Sequence, residues 1–190
     1  MKHLLVLIFI PCVALAADNQ ISIDQIGNYN LITISQDSSG HTANVTLGKV
    51  SSVDNSIISI DQKDTSNKSV TVEIKSGYNN SIDILQQGIG NHIASIVNLN
   101  GAANNFTINQ SGTGSHSFTA TAIGGTNSSN TVNATQSGSA GANKTFNLNF
   151  NGATGASVTV QQTNPLASDS GTLTIQCMPG SCGSYSYIRQ

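Results

Sequence analysis

One short pattern, apolar-x-apolar-x-Gln, recurs six times: Ile32-Ile34-Gln36, Ile58-Ile60-Gln62, Ile82-Ile84-Gln86, Phe106-Ile108-Gln110, Val132-Ala134-Gln136 and Val158-Val160-Gln162. Successive copies are 26, 24, 24, 26 and 26 residues apart. The two-residue alternation within each copy is that of a β-strand with one buried face. A strand that returns at an interval in the twenties restricts the chain to stacked or solenoidal architectures. Each repeat can then bury its apolar face only against its neighbours.

A looser set of alternating strands fills the intervals: Ile21-Ile23-Gln25, Val45-Leu47-Lys49, Val70-Val72-Ile74, Phe118-Ala120-Ala122, Phe146-Leu148-Phe150 and Leu173-Ile175-Cys177. Between residues 93 and 99, both Ser95-Val97-Leu99 and Ala94-Ile96-Asn98 alternate. Tyr185-Tyr187-Arg189 falls where a seventh strand of the Gln type belongs. The pattern therefore predicts an all-β, two-strand-per-rung β-solenoid of about seven rungs, with cross-β spacing. Turn chemistry agrees, since Gly and Asn tolerate positive φ and punctuate the strands at Gly27-Asn28, Gly88-Ile89-Gly90-Asn91 and Gly112-Thr113-Gly114. Pro165 and Pro179 fall in turns, where no ladder donor is lost. The repeat is expected to form a single domain over residues 17–190, with a divergent last rung at 170–190.

Residues 1–16 have the layout of a secretory signal: Lys2 and His3, an apolar run from Leu4 to Ile10, then Ala14-Leu15-Ala16 as a small-residue cleavage site. The apolar run is too short to span a bilayer, so membrane insertion is not expected. Removing this segment leaves six basic residues against nine acidic ones, a net charge of −3 without a basic stripe. That balance disfavours nucleic acid as a partner. Charged residues make up only 8% of the chain, and without the repeat such a composition would suggest disorder. Cys177 and Cys182 flank Met178-Pro179-Gly180-Ser181 and are candidates for a local disulfide in an oxidising compartment. Free thiols are the alternative. Two cysteines without nearby His are too few for a metal site, and no cofactor is expected.

An inward Gln must bond its carboxamide, because burying one unpaired costs roughly 1–3 kcal/mol. Rungs about 4.8 Å apart let each amide donate to one neighbour and accept from the other. Gln36, Gln62, Gln86, Gln110, Gln136 and Gln162 are therefore expected to form a ladder, with Gln25 its counterpart on the first strand. Six residues before these glutamines stand Asn30, Ser56, Asn80, Asn104, Asn130 and Ala156. They either make a second, partial ladder or serve the turns alone. Two apolar columns are expected as the core, Ile32/Ile58/Ile82/Phe106/Val132/Val158 and Ile34/Ile60/Ile84/Ile108/Ala134/Val160. Only Ala17 to Gln20 would precede the first strand of the mature chain, leaving an open edge with matching columns. Such an edge templates another copy. Ile21, Ile23 and Gln25 at one end and Tyr185, Tyr187 and Arg189 at the other are the candidate subunit interface.

Gln25-x4-Asn30-x5-Gln36, with Gly27 at the first turn, resembles the repeat of the curli subunits, the secreted bacterial amyloid proteins. The half-motif Asn-x5-Gln returns at Asn80/Gln86, Asn104/Gln110 and Asn130/Gln136, and Gln86-Gln87-Gly88-Ile89-Gly90-Asn91 is similar to the family's turn. The resemblance spans most of residues 19–162, with a full match in the first unit only. It implies export from a Gram-negative cell and stacking into biofilm matrix fibres that bind surfaces and aggregate cells. A nucleator subunit and an outer-membrane secretion pore are the implied partners besides the chain itself. The chain departs from the family in its rung count, in lacking the segment that usually follows the signal, and in its last strand.

Other classes fit less well. His41, His92 and His116 lie in or near turns without a Cys, Glu or second His at catalytic spacing, so they are expected to be solvated and the chain not to be an enzyme. The outward positions, Thr33/Ser35, Ser59/Asp61, Asp83/Leu85, Thr107/Asn109, Asn133/Thr135 and Thr159/Gln161, do not form the Thr ranks of an ice-binding face. A monomeric adhesin stalk would usually carry a separate globular tip, and no change of composition marks one.

Overall fold

The computed structural model describes residues 5–9, 19–24, 30–46, 56–73, 80–97, 105–123, 131–151, 155–176 and 182–190. Among these residues there is no helix. The strands are β1 (Leu5–Phe9), β2 (Gln20–Asp24), β3 (Leu31–Gln36), β4 (Thr42–Thr46), β5 (Ile57–Gln62), β6 (Lys68–Glu73), β7 (Ser81–Gln86), β8 (His92–Val97), β9 (Asn105–Gly112), β10 (His116–Ile123), β11 (Thr131–Gly138), β12 (Lys144–Asn151), β13 (Ser157–Gln162), β14 (Asp169–Gln176) and β15 (Ser184–Arg189). Odd-numbered strands form an eight-stranded sheet and even-numbered strands a seven-stranded one, each in simple numerical order. Every pairing is parallel. Parallel neighbours need a crossover between them, and here the strand of the opposite sheet supplies it. The result is a β-solenoid.

Register follows the sequence repeat without slippage in the larger sheet. Gln36 pairs with Gln62, then Gln86, Gln110, Gln136 and Gln162, and the last partner is Arg189. A slip of one residue would turn every inward side chain outward, so the apolar faces hold the register. Ile32, Ile34, Ile58, Ile60, Ile82, Ile84, Phe106, Ile108, Val132, Ala134, Val158 and Val160 are all buried between the sheets. Full burial of such side chains is worth about 1.5–3 kcal/mol each.

The smaller sheet departs from the expected strand positions. Ile21 aligns with Ala43, Val70, Ala94, Phe118, Phe146 and Gly171, while Ile23 aligns with Val45, Val72, Ile96, Ala120, Leu148 and Leu173. Two copies are thus shifted by two residues. Val45 is the second apolar position of its strand and Ala43 the first, because the turn at Gly40 ends early enough for the strand to begin at Thr42. Leu173 lies beside Leu148, and glycine takes the place beside Phe146. A Cβ on Gly171 would come within 2.7 Å of the Phe146 ring and 2.8 Å of Tyr187. The ambiguous copy is resolved as Ala94-Ile96, with both side chains buried. Gln25, Leu47, Lys49, Ile74, Asn104, Asn130 and Cys177 lie outside the described residues.

Part of the segment read as a signal is β1, which pairs with β3 from Leu5↔Leu31 to Phe9↔Ser35. In the full chain it therefore forms the outer edge of the larger sheet, and β2 forms that of the smaller.

Candidate assembly site: polar columns and the ends of the sheets

Each ladder glutamine lies at the end of a strand of the larger sheet or, for Gln110 and Gln136, two residues before it, and the alternation points it between the sheets. Gln62, Gln86, Gln110, Gln136 and Gln162 are fully buried and Gln36 nearly so. Their amides form an unbroken chain in which Nε2 donates to the next Oε1: Gln36 to Gln62 at 2.8 Å, Gln62 to Gln86 at 3.0 Å, and Gln86 to Gln110, Gln110 to Gln136 and Gln136 to Gln162 at 2.8 Å each. The second N–H of each amide crosses to a backbone carbonyl of the smaller sheet, for instance Gln86 to Ser69 at 3.1 Å and Gln110 to Ile93 at 2.8 Å. Both donors of every interior amide are used, and the ladder clamps the two sheets together.

The ladder has a direction and therefore two unlike ends. At the first, Gln36 Oε1 is buried and accepts no hydrogen bond from any described residue. At the second, Gln162 Nε2 finds no glutamine above it and donates to Asp169 Oδ2 at 3.1 Å and to the Thr145 carbonyl at 3.2 Å. The Tyr187 hydroxyl donates to Asp169 Oδ1 at 3.2 Å, holding the carboxylate in place. Arg189 takes the next position in the column, exposed. Its backbone carbonyl accepts the Thr163 N–H at 2.8 Å, while its guanidinium has no hydrogen bond or ion pair among the described residues.

At the corner before these strands, Asn30, Ser56, Asn80 and Ala156 are buried in one column. Asn30 Oδ1 accepts the Ser56 backbone N–H at 3.0 Å, and Ser56 Oγ donates to Asn80 Oδ1 at 3.4 Å. The side chains thus link neighbouring strands, and the turns before them lie outside the described residues.

The opposite corner corrects the sequence expectation. His41, His92 and His116 are fully buried rather than solvated, in one column with Lys68 and Lys144. Register places Lys68 beside His92, His92 beside His116, and His116 beside Lys144, with Asp169 as the terminal neighbour. Each histidine folds back onto its own turn, Nε2 bonding the carbonyl of Asp37 at 3.0 Å, Gln87 at 2.8 Å and Ser111 at 2.9 Å respectively. Bonding a carbonyl requires the proton on Nε2, so Nδ1 is the bare acceptor, and it is buried without a partner in all three. The His92 and His116 rings stack at 5.0 Å. Lys68 Nζ bonds the carbonyls of Ser66, Gly88 and Gly90 at 3.2, 2.6 and 2.9 Å and the Ser66 hydroxyl at 2.9 Å, while Lys144 Nζ donates to the Ala167 carbonyl. Burial lowers the pKa of His41, His116 and Lys68, and brings that of His92 to about 4. A sequence signal for this column exists: a basic residue follows the ladder glutamine by 5, 6, 6, 6 and 8 residues in successive repeats.

The ends carry the remaining candidates. Ile21 and Ile23 on β2 are half-buried against the core. On β15, Tyr185 is exposed, and Tyr187 is half-buried with its ring tilted against Phe146 at 4.9 Å. Cys182 is buried and disulfide-bonded; its expected partner, Cys177, lies outside the described residues. No family model, curated protein or solved structure matches this chain.

Proposed function

We propose that the chain is a secreted structural subunit that assembles head-to-tail into extracellular, amyloid-like fibres of the curli type, the adhesive matrix of a Gram-negative biofilm. The observation that carries this reading is the unbroken glutamine ladder, which ends in an unsatisfied buried acceptor on one side and an exposed strand on the other. A monomeric stalk would be expected to cap such ends. In this reading each even-numbered strand and the odd-numbered strand after it make one rung, β2 with β3 through β14 with β15, seven rungs in all; the alternation of consecutive strands between the two sheets supports it. Residues 1–16 are removed on export, which frees the edge of β3. A nucleating subunit and an outer-membrane pore are the expected partners.

The test is to express the full-length gene with export and examine the released protein by electron microscopy and fibre diffraction. Filaments with a meridional spacing of about 4.8 Å and a subunit advance of about 33 Å are expected from the strand spacing. Monomers alone across a wide concentration range would sink the proposal.

A further inference from the structure

The two ends of the glutamine ladder are complementary halves of a single missing amide. A ladder glutamine accepts on Oε1 and donates through Nε2. At the last position of the column Arg189 can only donate, and the acceptor half is supplied instead by Asp169, whose Oδ2 takes the Gln162 N–H at 3.1 Å. At the first position Gln36 has a committed donor, 2.8 Å from Gln62, and an acceptor left over in a buried site.

The geometry points to a specific head-to-tail joint, in which the Arg189 guanidinium of one copy donates to Gln36 Oε1 of the next. This rests on the head-to-tail reading above and adds the residues that fix its polarity and register. Continuing the observed alignment of Gln162 with Arg189 by one strand sets β15 of one copy against β3 of the next, with Tyr185 beside Ile32, Tyr187 beside Ile34 and Arg189 beside Gln36. The donor-to-acceptor direction of the ladder is then kept across the joint. The reverse orientation, first end against first end, would bring no Arg189 to Gln36 Oε1 and would reverse the ladder's donor-to-acceptor direction at the joint. A shift of two residues would bury Tyr187 beside Gln36 and leave the guanidinium without an acceptor. In the full chain β1 occupies this seat on β3, and its last residue, Phe9, pairs with Ser35, one position short of Gln36. The seat becomes available to Arg189 only when that strand leaves.

The test compares the exported wild-type protein with Arg189→Gln, Arg189→Met and Arg189→Glu. The readout is the monomer concentration left in equilibrium with filaments. Arg189 is exposed on the last strand, and matching melting curves of the monomers verify that the variants fold. Arg189→Gln supplies a donor and an acceptor and should stay within about threefold of wild type. Arg189→Met leaves Gln36 Oε1 unsatisfied and should raise the residual monomer about tenfold, with Arg189→Glu, which opposes two acceptors, raising it further. Wild-type filaments with equal residual monomer for all variants, or with Arg189→Gln as impaired as Arg189→Met, would overturn the joint while leaving head-to-tail stacking intact. Absence of wild-type filaments would overturn the stacking itself, and the joint with it.

Discussion

Two buried polar columns run side by side, one on each side of the turns that follow the ladder glutamines, and they solve the same problem differently. The glutamines bond one another, whereas the histidines and lysines bond the carbonyls of their own and neighbouring turns. The difference follows from the side chains. A carboxamide is donor and acceptor at once and so can be paired by its own kind, while an ammonium only donates and a neutral imidazole has one of each at fixed angles. The glutamine column therefore couples each repeat to the next, whereas in the basic column the histidines anchor their own turns and only the lysines reach the following one. Only the first can be continued across an open end.

Breaking the amide column should thus have the larger consequence. Gln86→Ala and Gln110→Ala each strand the amide below, the amide above and the carbonyl across the core, at Ser69 or Ile93. At roughly 1 kcal/mol or more per stranded group, a loss of about 3 kcal/mol is expected for either variant. Thr107→Ala, on the exposed face of the same strand as Gln110, should cost under about 0.5 kcal/mol. Denaturant unfolding of the three variants measures this directly, and equal losses would contradict the coupling role of the column.

The basic column should reveal itself through pH rather than through truncation. Burial holds His92 down to about 4 from an ordinary 6.5, and His41 and His116 are lowered in the same direction. Lys68 and the His116 ring add repulsion to a proton on His92; Lys144 does so for His116, and the Asp37 carboxylate partly relieves His41. Because the unfolded chain takes up these protons first, stability should be greatest above pH 6.5. It should fall as the pH drops toward 4 and level off below. Thermal melts between pH 8 and pH 3.5 follow this, and His92→Phe should flatten the slope. A flat wild-type profile would place the imidazoles in contact with solvent.

The glutamine column was legible in the sequence because its residue identity never changes and its phase is set by the strand period, which the core enforces. The basic column was not, although a member follows each of the first five glutamines. The turns between Gln36 and His41 and between Gln136 and Lys144 differ in length, and the residue alternates between His and Lys, so no fixed offset stands out. Two of the first-strand copies were misplaced for a related reason, while Ile21-Ile23, Val70-Val72, Phe118-Ala120 and Phe146-Leu148 align as the pattern predicts. Ala43 and Gly171 are weak apolar signals, and the eye slides to Val45 and Leu173, two residues on, where the alternation looks stronger. What decides those positions is the partner across the sheet, such as the Phe146 ring that fills the space beside Gly171. At the end of the column, Asp169 takes the Gln162 N–H that a seventh glutamine would have accepted, a contact that sequence spacing does not reveal.

The smallest effect lies in the turn that joins the two columns. The residue two past the ladder glutamine has positive φ in four repeats: Ser38 at 92°, Asp64 at 71°, Gly88 at 94° and Gly112 at 102°. Glycine occupies that conformation without cost, whereas a side chain there costs about 1–2 kcal/mol. Ser38 uses its backbone carbonyl to accept from Asn19, and that bond survives removal of the hydroxymethyl group. Asp64 differs, because its Oδ2 accepts the Gly88 backbone N–H at 2.6 Å. Ser38→Gly should therefore stabilise the fold by about 0.5–1 kcal/mol, after allowing for the extra freedom glycine gives the unfolded chain. Asp64→Gly should gain nothing, since relief of the backbone is offset by the lost acceptor. Unfolding midpoints of the two variants check this, and a gain at Asp64 equal to that at Ser38 would show that its carboxylate adds nothing to the link between turns.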